Sequence, residues 1–324
     1  MKSSLVTPSM EAQLEDQGYL AVNGILEDAT IQAVTDDYSA KLDELAERWW
    51  AEGNLTNLYR DLPFGERLVK ITGEAKLSWG QHFDISLPQA GVKHDTPFHA
   101  SKAIFDMITH PRLLDVAEVF VGPEIYSNPI QHTRIKPPER MLAKEELNGL
   151  NARVGWHQDQ GVATTEQDEV PVLTVWLAIT EANEDNGCLC VVPGSHRKGL
   201  VSHCPGIGLG GALEIPPKLI TDEYIPVPIM RGGALLLHSR TLHSSLTNSS
   251  DRIRWSFDLR YQPIGLPTGR SAFPGFVARS GMNPGSELKD WRQWVQSWAD
   301  TRKRLADEGM PKFNRWDANA PICA

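Results

Sequence analysis

Apolar positions along this chain follow two different periods. Residues 27 to 52, EDATIQAVTDDYSAKLDELAERWWAE, place Ile31, Val34, Tyr38, Leu42, Leu45 and Trp49 at spacings of three and four. That spacing predicts one apolar stripe on a helix, with Asp28 as its N-cap. A second helix is predicted over 101 to 120, SKAIFDMITHPRLLDVAEVF, interrupted at Pro111 and stopped by Gly122-Pro123. Near the far end, GSELKDWRQWVQSWADTRKRLADEG reads as a third helix capped by Ser286, with Leu288, Trp291, Trp294, Val295, Trp298 and Leu305 on one face. Its tryptophan stripe reads as packing rather than as a binding surface.

Between these helices the pattern becomes strand-like. VLTVWLAI (172 to 179), CLCVV (188 to 192), YIPVPI (224 to 229) and ALLLH (234 to 238) are short apolar or β-branched runs separated by Gly, Pro and Asn turns. In IRWSFDLRY, residues Ile253, Trp255, Phe257, Leu259 and Tyr261 alternate strictly with Arg254, Ser256, Asp258 and Arg260, so one face is apolar and the other polar. The polar face of such a strand ordinarily meets water. Strands in mid-chain with helices mostly before and after predict a mainly β fold with flanking helices. Its core would be a double-stranded β-helix, a cupin-like jelly-roll, and not a βαβ arrangement. One domain is expected over 1–324, with a helical N-terminal cover at about 1–125, a jelly-roll core at about 126–265 and a C-terminal helix at about 286–308. GIGLGGALEIPP (206 to 217) reads as a mobile loop, and PGSH (193 to 196) and Asn186-Gly187 as turns.

Composition narrows the partners. A formal net charge of -9 argues against nucleic acid or an anionic membrane surface, which would call for clustered Lys and Arg. Small-molecule partners are expected, for a monomer or homodimer. No stretch approaches the ~20 apolar residues that cross a bilayer. The start, MKSSLVTPSMEAQLEDQGY, lacks the apolar segment of a signal peptide, so a cytoplasmic protein is expected. Cys188, Cys190, Cys204 and Cys323 include no C-x-x-C pair, and reduced thiols are expected.

The candidate chemistry lies in GWHQDQG (155 to 161). If residues 156 to 160 form a strand, His157 and Asp159 project from the same face as a two-ligand metal site. The bland alternative is a polar turn with a satisfied histidine. A third ligand would come from LLLHSRTLHSSLTN, where His238 and His243 compete. Two histidines and one carboxylate bind one face of octahedral iron(II) and leave three positions open, as in non-haem oxygenases, whereas a closed zinc site would want a fourth ligand. Eleven residues after His243 comes Arg254, on the polar face of the alternating strand, which favours His243. An arginine aimed into a barrel beside a metal needs an anion, and its planar fork suits a carboxylate. A dicarboxylate cosubstrate would supply it; on an exposed strand face Arg254 would be a surface residue instead.

The order WHQD (156 to 159), VWLAITEANEDNGCLCVVPGSH (175 to 196) and GGALLLHSRTLHSSLTNSSDRIRWSFDLRYQ (232 to 262) resembles the phytanoyl-CoA dioxygenase family of iron(II)- and 2-oxoglutarate-dependent oxygenases. LEDQGYLAVNGILEDATIQAV (14 to 34) is similar to that family's opening strand and helix, and PIQHTRIKPP (129 to 138) to its middle. The resemblance implies His157, Asp159 and His243 as iron ligands and catalytic centre. It implies Arg254 on the distal carboxylate of 2-oxoglutarate, Ser245 as its helper, and Trp176 near the cosubstrate, where packing alone would also explain a tryptophan. Fe(II), 2-oxoglutarate and O2 would together hydroxylate or otherwise oxidise a small organic metabolite, releasing succinate and CO2. Halogenating relatives carry a small residue in the place of Asp159, so its carboxylate favours hydroxylation.

Substrate choice is expected from KLSWGQHFDIS (76 to 86), which contains His82, from Phe98 and His99, and from the 199 to 217 loop. Lys136 could face the cosubstrate, a substrate anion or solvent. No basic patch suits coenzyme A, so an acyl-CoA substrate does not follow. Two other classes stay open: a catalytically silent jelly-roll binding module, and a cupin-type metalloenzyme without 2-oxoglutarate, which would not need Arg254.

Overall fold

A computed structural model describes residues 5–142 and 144–323. Its larger sheet runs in the order β1 (Tyr19–Val22), β7 (Ala234–His238), β4 (Leu173–Ala178), β9 (Arg254–Pro263), β2 (Glu124–Ser127) and β10 (Phe276–Ser280). The free edge of β9 is shared: β3 (His132–Lys136) pairs its first half and β2 its second. The smaller sheet holds β6 (Ile225–Val227), β5 (Leu189–Val191) and β8 (His243–Ser245), and every pairing in both sheets is antiparallel. Trp176, Leu235 and Leu237 of the large sheet pack on Leu189, Val191 and Val227 of the small one. Two antiparallel sheets closed on one another in this way form the jelly-roll. The sheet reaches beyond 126–265 at both ends, because β1 pairs β7 and β10 pairs β2.

Helices cover the outer face of the large sheet. They are α1 (Pro8–Gln17), α2 (Asp28–Ala51), α3 (Phe64–Ala75), α4 (Gly80–Phe83), α5 (Lys102–Ile108), α6 (Pro111–Val121) and α7 (Trp291–Glu308). All six predicted stripe residues of α2 are buried, although Glu27 occupies the cap position and Asp28 opens the helix, paired with Arg231. Tyr38 is the stripe's centre. Its ring lies 4.7 Å from Trp255 and 5.9 Å from Phe257 of β9, while its hydroxyl donates to the Phe83 carbonyl and bonds the Thr133 hydroxyl at 2.7 Å. Each apolar side chain buried in this layer contributes roughly 1.5–3 kcal/mol.

The 101 to 120 helix is two helices, since Ser101 caps α5 and Pro111 starts α6. The last helix begins at Trp291 rather than at the predicted 286, because Asp290 supplies the cap. Before it, residues Pro284–Ser286 make a 3-10 turn and the Leu288 amide is tacked to the Val277 carbonyl of β10. Trp294 and Trp298 are buried against Phe105, Phe276 and Phe273, so the tryptophan stripe is packing.

Both faces of β9 are buried. Trp255, Phe257, Leu259 and Tyr261 face the helices, and Arg254, Ser256, Asp258 and Arg260 lie between the two sheets. The polar row that would ordinarily meet water is therefore the barrel interior.

The 199 to 217 segment is anchored at Cys204 and Glu214. Cys204 and Glu214 exchange backbone hydrogen bonds, and Cys204 forms a disulfide with Cys323, which corrects the expectation of four reduced thiols; Cys188 and Cys190 are free and buried. The C-terminal tail thereby crosses the barrel mouth. Arg315 pairs with Asp168 at 2.6 Å and donates to the Ala163 and Thr164 carbonyls, while Trp316 donates to the Gly161 carbonyl and stacks on His203. A separation of 119 residues gives no local motif that would reveal this pairing. Among the described residues no helix is long and apolar enough to cross a membrane.

The disulfide constrains a long loop of the unfolded chain. Reducing it, or replacing Cys323→Ser, is expected to cost about 2–4 kcal/mol of stability. The measurement is the urea midpoint with and without reductant, and an unchanged midpoint would show that the bond constrains nothing.

Candidate metal centre

His157 does not sit on a strand over 156 to 160. It forms a lone antiparallel bridge to His243 of β8, each amide donating to the other's carbonyl at 3.0 Å, and Asp159 opens a 3-10 turn, Asp159–Val162. Gln158 turns away and donates to the Gly199 and Arg240 carbonyls. The bridge sets the two imidazoles side by side, ring centroids 4.1 Å apart, and the turn brings Asp159 Oδ1 to 3.9 Å from His157 Nε2. One ligand atom from each of His157, Asp159 and His243 lies within 4.8 Å of the others. His238 is elsewhere, at the end of β7 beside His196, with its Nδ1 accepting from the Arg240 amide.

Both rings are oriented by backbone. His157 Nδ1 meets the Gly155 carbonyl at 3.0 Å and His243 Nδ1 the Thr241 carbonyl at 2.9 Å. A carbonyl only accepts, so Nδ1 of each ring carries a proton and Nε2 is the nitrogen left for the cluster. Burial, with His243 close by, pushes His157 down to about 3, which keeps it neutral at ordinary pH. Asp159 is the opposite case. Burial opposes its ionised form, but Arg260 first, then the two histidines and Thr174, outweigh it and hold the carboxyl well below the usual carboxylate range. Thr174 donates to Oδ2 at 2.5 Å and Arg260 to Oδ1, while the other Arg260 terminal nitrogen is fixed on the Ile130 carbonyl. Neither Arg260 nor Thr174 was singled out in the sequence; Arg260 was findable, because it shares the face of Arg254 at an even spacing.

Arg254 is 0% exposed. One terminal nitrogen donates to Ser256 at 2.8 Å, and its Nε and second terminal nitrogen have no partner. Its guanidinium carbon lies 5.1 Å from the Trp176 ring centre. Burial pushes it down to about 9, which leaves it a cation at neutral pH. Ser245, two residues past His243, accepts hydrogen bonds from the Val154 amide and from Lys136, both at 2.8 Å. Lys136 is only 1% exposed, so solvent is not its environment.

A cavity of about 600 Å³ reaches the cluster at His157. Its wall includes Asp84, His132, Arg134, Asn148 and Asn314. Asp84 accepts from the Thr133 amide and bonds His132 Nδ1, both at 2.9 Å, and Arg134 is paired with Asp258. The expected 76 to 86 and 199 to 217 segments do line it, whereas Phe98 and His99 do not: Phe98 lies under Arg302, and His99 bonds Asp37 at 2.7 Å. The tail residues Phe313 and Asn314 line it without any sequence signal. Two imidazole nitrogens and one ionised carboxylate, brought together in this way, suit a three-ligand iron(II) site. The two unpartnered donors of Arg254 suit a carboxylate.

The profile of the phytanoyl-CoA dioxygenase (PhyH) family matches residues 14–256. Phytanoyl-CoA dioxygenase domain-containing protein 1 of Bos taurus is 24% identical over 271 residues, 78% of this chain and 88% of the relative. The Mus musculus protein of the same name is 33% identical over 116 residues, 33% of this chain and 38% of that one. Among solved structures, the non-heme monooxygenase ThoJ aligns with a TM-score of 0.56 at 16% identity, covering 93% of this chain and 98% of that one. EvdO2 from Micromonospora carbonacea var. aurantiaca, complexed with 2-oxoglutarate, aligns at 0.51 and 15%, covering 81% and 94%. The structural likenesses show the shared fold. On the profile match, which spans most of its length, the chain belongs to the phytanoyl-CoA dioxygenase (PhyH) family, and so to the general class of non-haem iron, 2-oxoglutarate-dependent oxygenases.

Proposed function

We propose that this protein hydroxylates, or otherwise oxidises, a small uncharged organic metabolite, with conversion of 2-oxoglutarate to succinate and CO2. The observation that carries the reading is Arg254, a fully buried cation with two unpartnered donors inside the barrel that holds the three-ligand cluster. Burying a guanidinium without a partner costs several kcal/mol, and a bound carboxylate removes that cost.

Roles follow for the chain's own residues. His157, Asp159 and His243 would hold Fe(II), which when bound supplies the oxidising chemistry, with three positions left open for cosubstrate and O2. Arg260 and Thr174 fix the Asp159 carboxylate, and the two backbone carbonyls fix the rings. Arg254 and Ser245 would bind the distal carboxylate, with Trp176 flanking the guanidinium. Ser245 lies two residues from His243 along β8, about 6.6 Å. A short diacid held there would have its other end within reach of the cluster. The ionised Asp159 keeps the third protein ligand in place, which supports hydroxylation over chlorination.

The cavity supports an uncharged, hydrogen-bonding substrate. Its charged groups are already committed, Asp84 to His132 and Arg134 to Asp258, and amides such as Asn148 and Asn314 make up much of the remaining polar lining. No unpaired Lys or Arg among the described lining residues meets the phosphates that an acyl-CoA would bring. The tail and the 199 to 217 segment, joined by the disulfide, would keep bulk water from the reacting atoms.

Succinate formation by the Fe(II)-loaded protein tests the reading. Arg254→Met is expected to raise the KM for 2-oxoglutarate by ~100-fold or more, as truncating one partner of a buried charge pair costs ~2–5 kcal/mol, while iron affinity stays unchanged. A wild type that binds iron but forms no succinate would return the chain to the silent-module or cupin-type alternative. Arg260→Gln is expected to weaken metal binding by roughly 10- to 100-fold, through the freed Asp159 carboxylate. Competition against a chromophoric chelator measures it, and wild-type affinity in the variant would remove Arg260 from the metal centre.

A further inference from the structure

Lys136 and Arg254 are direct partners in the register of β3 and β9, and both project into the barrel. Like charges set opposite each other on one face destabilise a sheet, and here water does not screen them. The two strands bring four cations inside: Arg134, Lys136, Arg254 and Arg260. Asp258 is paired with Arg134 and Asp159 with Arg260. Among the described residues no carboxylate pairs with Lys136 or Arg254. The interior therefore holds two adjacent basic side chains without a carboxylate partner.

The backbone at Lys136 is fixed as well as its side chain. Asn248 donates to the Lys136 carbonyl at 2.9 Å, Pro137 and Pro138 follow, and the ammonium donates to Ser245 Oγ at 2.8 Å. That serine oxygen also accepts from the Val154 amide, so both of its lone pairs are taken and its own proton points elsewhere. Holding a serine hydroxyl in place does not require a charge; an amide would do it at a smaller desolvation cost. What the arrangement does supply is three donors on neighbouring strands: the unpartnered edge of Arg254, and the side chains of Lys136 and Ser245, which are bonded to each other.

We infer that Lys136 is a second anchor for the distal carboxylate of the cosubstrate, completing a three-donor clamp with Arg254 and Ser245; the inference rests on the 2-oxoglutarate reading above. A carboxylate offers about four lone-pair sites, enough to take the arginine and still accept from the ammonium and the hydroxyl. Burial first, and then Arg254 and Arg134, push the Lys136 ammonium well below its ordinary range, and an anion in the clamp would oppose that shift.

The test is anaerobic calorimetry on Fe(II)-loaded protein with two ligands, 2-oxoglutarate and 2-oxobutyrate, which keeps the keto acid but lacks the distal carboxylate. Lys136→Met is expected to weaken 2-oxoglutarate by roughly 10- to 100-fold, as for loss of one charge-assisted hydrogen bond, and to leave 2-oxobutyrate within about twofold. Should Lys136→Met fail to fold, Lys136→Gln, which keeps a donor for Ser245, carries the same comparison. A variant that binds 2-oxoglutarate as the wild type does, or that loses both ligands equally, overturns the clamp. A wild type that binds iron but not 2-oxoglutarate overturns the reading beneath it.

Discussion

The alternation of β9 places Arg254, Ser256, Asp258 and Arg260 between two sheets, where water does not solvate them, and the interior is organised around neutralising that row. Stripping a guanidinium of water costs several kcal/mol unless a partner replaces the solvent. Asp258 is matched to Arg134 across to β3, and Arg260 to Asp159 from the 3-10 turn. The second pairing also shapes the candidate metal centre, since it holds the one carboxylate of the cluster ionised beside His157, which burial keeps neutral. Arg254 is left over. The opposite, apolar face of the same strand packs on Tyr38, Phe64 and the helical layer, and that burial offsets the cost of a charged interior.

One consequence is a division between a fixed floor and a variable roof. His243 and Arg254 stand on paired strands, whose register fixes side-chain positions tightly, and His157 and Asp159 are tied to those strands by the bridge to His243 and the ion pair with Arg260. The cavity above them is closed by segments far apart in the chain: residues near 80, the 205 to 213 stretch and the tail at 313 to 314. Loops of this kind change identity without disturbing the sheets. A family relationship visible in the strands thus speaks to the class of chemistry and not to the substrate.

The same division explains what was legible in the sequence. α2, β4, β5, β7 and β9 were read within a few residues, because each buries a continuous apolar face and the period of that face is preserved. β3 and β8 carry His132, Arg134, Lys136, His243 and Ser245 on their inner faces, so they show no apolar alternation and no strand is predicted there. His157, Asp159 and His243 lie together although the strand assumed at 156 to 160 is a single bridge and a turn, because the choice of these residues rested on their types and order and not on the local geometry. Thr174 was hidden inside an apolar run, and Phe98 and His99 were misplaced because nearness in sequence to cavity residues says nothing about direction. The Cys204–Cys323 bond and the tail across the mouth depend on tertiary proximity alone.

The central claim is that one barrel holds iron at His157, Asp159 and His243 and a 2-oxoglutarate dianion reaching from it to Arg254. Its most direct test is the visible spectrum of Fe(II)-loaded protein titrated with 2-oxoglutarate in the absence of oxygen. A charge-transfer band that saturates at one cosubstrate per chain, and is missing in His157→Ala, is the expected result for a keto acid chelated at a three-ligand iron. Full iron loading with no band at saturating 2-oxoglutarate would contradict the account.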